Sequence, residues 1–169
     1  DNRGLGRTCI NDRFEDSNSA WWKMALVLVG EIGSILESQE AHYLFDAGGD
    51  HVAAGASSDV HACQWHQDHR RWGYWYAVSI FLEDVTNEMA PMMAYSCATG
   101  SEIICAARRG TVLIRDVAAW HCGTANTSGD DRVMATFRFY SDRCLHDDPD
   151  YFAREKPPGA FKELFIAST

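Results

Sequence analysis

The sequence predicts a mainly β fold, a double-sheet jelly roll of the cupin-like, double-stranded β-helix kind, preceded by an N-terminal helix. Three observations carry this. After Glu40 the chain breaks into short runs rich in β-branched and aromatic residues, divided by Gly, Ser, Asn and Asp. The run over residues 74–82 is largely apolar on both alternating faces, with Tyr74, Tyr76, Val78, Ile80 and Leu82 against Trp75, Ala77, Ser79 and Phe81. A strand covered on both sides reads this way. Only residues 20–39 carry a strong helical period.

Residues 1–19 are polar, with Gly4 and Gly6, and read as an irregular arm whose last residue, Ser19, can cap a helix. Over residues 20–39, Trp21, Trp22, Ala25, Leu26, Val29, Ile32, Ile35 and Leu36 recur at three- and four-residue steps, as one buried helical face does. Gly30 and Gly33 weaken that helix, and β-branched Val27 and Val29 leave a strand open as the alternative. Strands are then expected over 41–45, 60–67, 74–82, 92–98, 110–116 and 132–140, with the Gly- and Ser-rich stretch 48–58 as a loop. The division is an arm and helix over 1–40, a jelly-roll core over 41–145 and a tail over 146–169, within one domain. Pro149, Pro157 and Pro158 make the tail mostly loop.

With 169 residues, 46% apolar and 12% aromatic, the chain has material for one core, and two domains would be crowded. A net charge of -9, from 15 basic and 24 acidic residues, gives no footprint for nucleic acid or an anionic membrane; Arg70-Arg71 and Arg108-Arg109 are pairs, not a patch. The longest apolar run, over residues 24–29, falls far short of the roughly 20 residues a bilayer demands. We expect a protein that is soluble or held by partner chains. Six cysteines include no C-x-x-C pair, which excludes a zinc ribbon or thioredoxin-like motif, and a chain with this much core favours reduced thiols. The chain starts at Asp1 rather than Met. A targeting peptide removed by processing would leave no trace, so localisation stays open.

The chemistry lies in Trp65-His66-Gln67-Asp68, in His121, and in Arg132 eleven residues later. In an extended strand, residues i and i+2 share a side, so His66 and Asp68 can present an imidazole and a carboxylate to one point. A second imidazole, His121, would close one face of a metal. Two His and one carboxylate on a face leave the opposite positions open, the arrangement non-haem Fe(II) oxygenases use. The bland reading of His121 is a packed histidine beside Trp120. A second His-x-Asp, His146-Asp147-Asp148, sits in the polar tail with no later His and reads as a solvated turn. Arg132 opens a strand after the polar loop 122–131. Its rigid fork of donors matches a carboxylate, and an ion pair with Asp130 or Asp131 is the structural alternative.

With these residues in place, the chain over about 57–140 resembles the phytanoyl-CoA dioxygenase family of Fe(II)- and 2-oxoglutarate-dependent oxygenases. The matching features are Trp65 to Asp68, the strand over 74–82 followed by Asp84-Val85-Thr86-Asn87, Gly100-Ser101, and Gly110-Thr111-Val112-Leu113 leading to His121, Asn126 and Arg132. The resemblance implies that His66, Asp68 and His121 are iron ligands and that Arg132 pairs with the distal carboxylate of 2-oxoglutarate. Asn126 and Thr124 are candidates for the same cofactor site, and Gln64, Thr124 and Asn126 for orienting ligands. It implies hydroxylation of a small-molecule substrate, with 2-oxoglutarate converted to succinate and CO₂. The sequence departs from the family at Asn87-Glu88-Met89-Ala90, where an Asn-Gly turn is usual, and at Thr99-Gly100-Ser101-Glu102, in place of Pro-Gly-Ser-His. The chain is also short for the family, so no substrate is carried over.

Two other classes compete. A zinc hydrolase also uses two His, a carboxylate and an open water site, and His61 and His69 are close enough in sequence to join it, but it gives Arg132 no role. The other is a dioxygenase-like domain that has lost its substrate pocket and serves as a non-catalytic subunit of a larger assembly.

Overall fold

A computed structural model describes residues 6–12, 42–57 and 64–141, together with residues 20, 23, 24, 27, 28, 31 and 147. These form eight strands: β1 (Arg7–Asp12), β2 (His42–Val52), β3 (Trp75–Phe81), β4 (Met92–Ser96), β5 (Ser101–Cys105), β6 (Val112–Asp116), β7 (His121–Cys122) and β8 (Arg132–Ser141). A five-stranded sheet has the order β1-β2-β8-β3-β6 and a three-stranded sheet the order β5-β4-β7. Every pairing between them is antiparallel. The mainly β, two-sheet expectation holds. The helix expected over 20–39 falls mostly outside the described residues, as does the tail over 146–169.

Strands β3 and β8 are each paired on both sides within the large sheet. Val78, Phe137 and Phe139 are fully buried, as are Ala77 and Ala135 nearby. The face of β8 carrying Arg132, Met134, Thr136 and Arg138, and that of β3 carrying Trp75, Ala77 and Ser79, line one cavity of about 380 Å³. Two cross-sheet rows cross that wall. Val52 of β2 is paired with Arg7 of β1 and Arg132 of β8. Ala77 of β3 is paired with Arg115 of β6 and Arg138 of β8.

The structure corrects the expected strands at four places. The polar arm contains β1, which pairs over its whole length with β2. Strand β2 runs on to Val52 through residues read as a loop. Pairing with β1 on one side and β8 on the other satisfies its backbone, and Gly48 and Gly49 put little bulk on the cavity wall they line. Of the strand expected over 60–67, the described part, residues 64–67, is irregular with a single bridge from His66 to His121. Strands β5 and β7 escape the sequence patterns. The first is exposed along most of its length, and the second is two residues long. Gly100, with φ of 65°, supplies the left-handed residue that turns β4 into β5.

Three buried clusters brace the sheets: Tyr74, Trp75, Ala77, Val117 and Tyr140; Phe81, Val85, Met89 and Met134; and Val52, Ala56 and Ala90. Among the described residues Cys97, Cys105 and Cys122 are free. Among the described residues no helix is long and apolar enough to cross a membrane.

Candidate metal centre

His66 and His121 meet through the backbone before they meet through their rings. The N–H of His66 donates to the carbonyl of His121 at 2.9 Å, and the N–H of His121 donates to that of His66 at 3.0 Å. In such a pair the two side chains leave the same face, and the ring centroids stand 4.3 Å apart. Strand β7 in turn pairs with β4, Ala94 opposite His121, which holds the histidine against the smaller sheet. Asp68 is set from the other side. Its N–H donates to the carbonyl of Val117 at 3.1 Å, and Val117 donates to Trp75 on β3 at 3.1 Å.

The carboxylate therefore arrives between the rings. Asp68 Oδ1 is 3.6 Å from His66 Nε2, and Asp68 Oδ2 is 3.5 Å from His121 Nε2. One donor atom from each residue lies within 4.8 Å of the others, and this is the sole such group among the described residues. Both rings are oriented by main-chain oxygens: His66 Nδ1 lies 2.7 Å from the carbonyl of Gln64, and His121 Nδ1 lies 3.0 Å from that of Ala119. At His121 the Arg115 guanidinium, which only donates, also stands 3.1 Å from Nδ1, so that ring's neighbours do not choose its tautomer. At His66 the carbonyl only accepts, so Nδ1 carries the proton and Nε2 keeps a lone pair directed at the shared point. This is the tautomer a metal requires. Gln64, expected to orient ligands, does so through its backbone.

Arg115 was not foreseen. From β6 its guanidinium donates to Asp68 Oδ2 at 2.8 Å and stands 3.1 Å from His121 Nδ1. Burial works to raise the pKa of Asp68, but the charge and hydrogen bond of Arg115, helped by the two histidines, outweigh it and hold the carboxyl below its ordinary range. Burial and the Arg115 charge push His121 down to about 4, against the opposing pull of Asp68. The carboxylate is ionised and the imidazole neutral at physiological pH, as metal ligands must be. A charged residue inside the apolar run of β6 is the signal that could have revealed Arg115.

Arg132 lines the same cavity and is only 5% exposed. It makes no surface ion pair: its Nη1 donates to the carbonyl of Ala90 at 2.9 Å, while Asp131 pairs with His51 at 2.8 Å. Ala90 has φ of 51°, the one non-glycine in the left-handed region among the described residues, and this backbone presents the carbonyl that holds Arg132. Burial pulls the pKa of Arg132 down to about 10, with Asp50 and Glu83 opposing and Arg7 adding to the shift. Its Nε is buried without a partner.

Asn126 and Thr124 are absent from the cavity wall. The Asn126 amide donates to the carbonyls of Val52, Ala53 and Asp130, and its Oδ1 accepts from Ser128. It ties the end of β2 to the loop that leads into β8. Thr124 donates its hydroxyl to Pro91 and offers its carbonyl to Arg7. Both shape the site's surroundings. His69 stacks on Trp75 with centroids 5.5 Å apart and stays outside the triad, and His61 lies outside the described residues. Asp147 of the second His-x-Asp accepts from the hydroxyl of Tyr74 at 2.5 Å.

No family model matches the chain, and no curated protein matches its sequence. Solved structures match its fold. AviO1 from Streptomyces viridochromogenes Tue57 aligns at a TM-score of 0.65 and 14% identity, over 79% of this chain and 66% of that one. SnoN, a non-haem alpha-ketoglutarate-dependent epimerase from nogalamycin biosynthesis, aligns at 0.62 and 12%, over 81% and 62%. The non-haem monooxygenase ThoJ, in a nickel complex, aligns at 0.62 and 14%, over 89% and 62%. SnoN has also been solved with Fe³⁺, alpha-ketoglutarate and nogalamycin RO, and EvdO2 with 2-oxoglutarate. The chain spans about two thirds or less of the length of these enzymes. What the chain shares with these structures is the fold.

Proposed function

We propose that the chain is an Fe(II)- and 2-oxoglutarate-dependent dioxygenase that hydroxylates a small-molecule substrate. The observation that carries this is the meeting of His66, Asp68 and His121 in the cavity whose wall also holds Arg132. The residues suit both groups. Two imidazoles and one carboxylate on a single face favour Fe(II) with open positions, and among the described residues the buried Nε of Arg132 lacks a partner that an anion can supply. When bound, iron with 2-oxoglutarate supplies the oxidising chemistry.

The chain's own residues do the rest. Gln64 and Ala119 orient the rings, Arg115 keeps Asp68 ionised and aimed, and Arg132 receives the distal carboxylate of the co-substrate. Asn126 and Thr124 hold the segments around that anion end. The segments Trp65 to Asp68 and His121 to Arg132 support a finer placement with the phytanoyl-CoA dioxygenases. A zinc hydrolase leaves Arg132 without work, and a non-catalytic subunit leaves the converging triad without work.

The test is succinate formation from 2-oxoglutarate by purified protein reconstituted with Fe(II) in air. Succinate from the wild type and none from Asp68→Ala is the expected result. No 2-oxoglutarate consumption, or hydrolytic activity indifferent to that acid, overturns the proposal.

A further inference from the structure

Resting on the function just proposed, we infer that Arg7 of strand β1 is a second anchor for the distal carboxylate, so that a 2-oxo diacid is clamped between two guanidiniums instead of being held by Arg132 alone. The placement follows from register. Val52 is the common cross-strand partner of Arg7 and Arg132, and paired residues send their side chains to the same face. With neighbours about 5 Å apart at Cβ, the two arginines start about 10 Å apart and reach the space above Val52 from either side. Both line the cavity.

Burial and bonding make the pair unusual. Arg7 is 6% and Arg132 5% exposed. Each guanidinium is steadied by a neutral main-chain oxygen, Arg7 by Thr124 and Arg132 by Ala90, and each has a buried Nε without a partner among the described residues. Among the described residues no carboxylate forms an ion pair with either. The Glu83 carboxylate is engaged by the N–H of Val133 at 2.5 Å. Asp50, on the same cavity wall, and Glu83 act on Arg132 through space without an ion pair to it, and two buried like charges without a bonded counter-ion are costly. A carboxylate has lone pairs enough to take a fork from one arginine and further bonds from the other. A 2-oxo diacid held at the metal by its 2-oxo acid end carries that group on its far end; a 2-oxo monoacid does not.

The experiment measures affinities of 2-oxoglutarate and 2-oxobutyrate for the Fe(II)-loaded protein without oxygen, by calorimetric titration, in the wild type, Arg7→Gln, Arg7→Lys and Arg132→Gln. Arg7→Gln is expected to weaken 2-oxoglutarate at least ~10-fold, with Fe(II) and 2-oxobutyrate affinities within about twofold of wild type, and Arg7→Lys to recover part of the loss. Equal weakening of both acids would mark Arg7 as merely structural and overturn the inference, as would an unchanged affinity for 2-oxoglutarate. If Arg7→Gln does not fold, Arg7→Lys decides: an affinity for 2-oxoglutarate equal to wild type overturns it, and a selective loss supports it. A wild type that binds neither acid refutes the proposed function itself.

Discussion

The cavity has two charged regions built on opposite plans. Around Asp68, charge is balanced: the carboxylate meets Arg115 and lies between two imidazoles, and the rings lean on carbonyls. Around Val52, charge is less balanced: Arg7 and Arg132 are more deeply buried and form no ion pair with a carboxylate among the described residues, Asp50 acting on Arg132 only through space. The first region needs a cation to unite its lone pairs, and the second needs an anion. A metal chelated by a 2-oxo diacid supplies both at once, so the contrast teaches more than either region does alone.

Substitutions can break the contrast at either side. Asp68→Ala removes the one anionic ligand and leaves Arg115 facing the metal position. Fe(II) affinity is expected to fall about 1000-fold, some 4 kcal/mol, in an anaerobic titration, with far-UV circular dichroism unchanged.

Acid should act on the balanced region first. Unfolded His121 titrates near 6.5 and the folded ring near 4. Between those values the unfolded chain binds more protons. The stability of the metal-free protein is therefore intact above pH 6.5 and lost progressively as the pH falls towards 4. The loss is on the order of 3 kcal/mol and is measurable by urea unfolding at stepped pH. His121→Gln should flatten that part of the profile.

Asn126→Ala probes the scaffold behind the arginine region. Asn126 is 1% exposed, and its loss would remove its hydrogen bonds to the carbonyls of Val52, Ala53 and Asp130, of which Ala53 keeps the N–H of Ala56 and Asp130 the hydroxyl of Ser128. A loss of about 2–3 kcal/mol in chemical denaturation is expected, with Fe(II) affinity retained. The smallest effect belongs to Ala90→Gly. Relief of the left-handed backbone and loss of a buried methyl oppose each other, so stability should stay within about 1 kcal/mol of wild type. Ala90→Val, β-branched at φ of 51°, should be clearly worse.

The legible parts of the sequence were those whose physics is local. Strands β3 and β8 announce themselves by alternation, because side chains on a strand must choose a face. His66 and Asp68 are two residues apart, and His121 and Arg132 bracket a polar loop, so the triad and its arginine stood out. What stayed hidden depends on partners distant in sequence. Strand β1 is polar and becomes a strand because β2 is there to pair with it; β2 crosses two glycines because neighbours on both sides hold it. Arg7 and Arg115 matter through residues far along the chain, Thr124 for one and Asp68 for the other. Asn126 shows the reverse case: its spacing from His121 pointed to the cofactor, while its hydrogen bonds go to the loops.

The central claim is that one cation and one 2-oxo acid share this cavity. Absorption spectroscopy of the anaerobic Fe(II) protein tests it directly, because an iron-chelated 2-oxo acid gives a visible charge-transfer band. The account predicts a band that grows to one equivalent of 2-oxoglutarate in the wild type and is absent in Asp68→Ala. A wild type that shows no band at saturating iron and 2-oxoglutarate, or a band undiminished by Asp68→Ala, would contradict it.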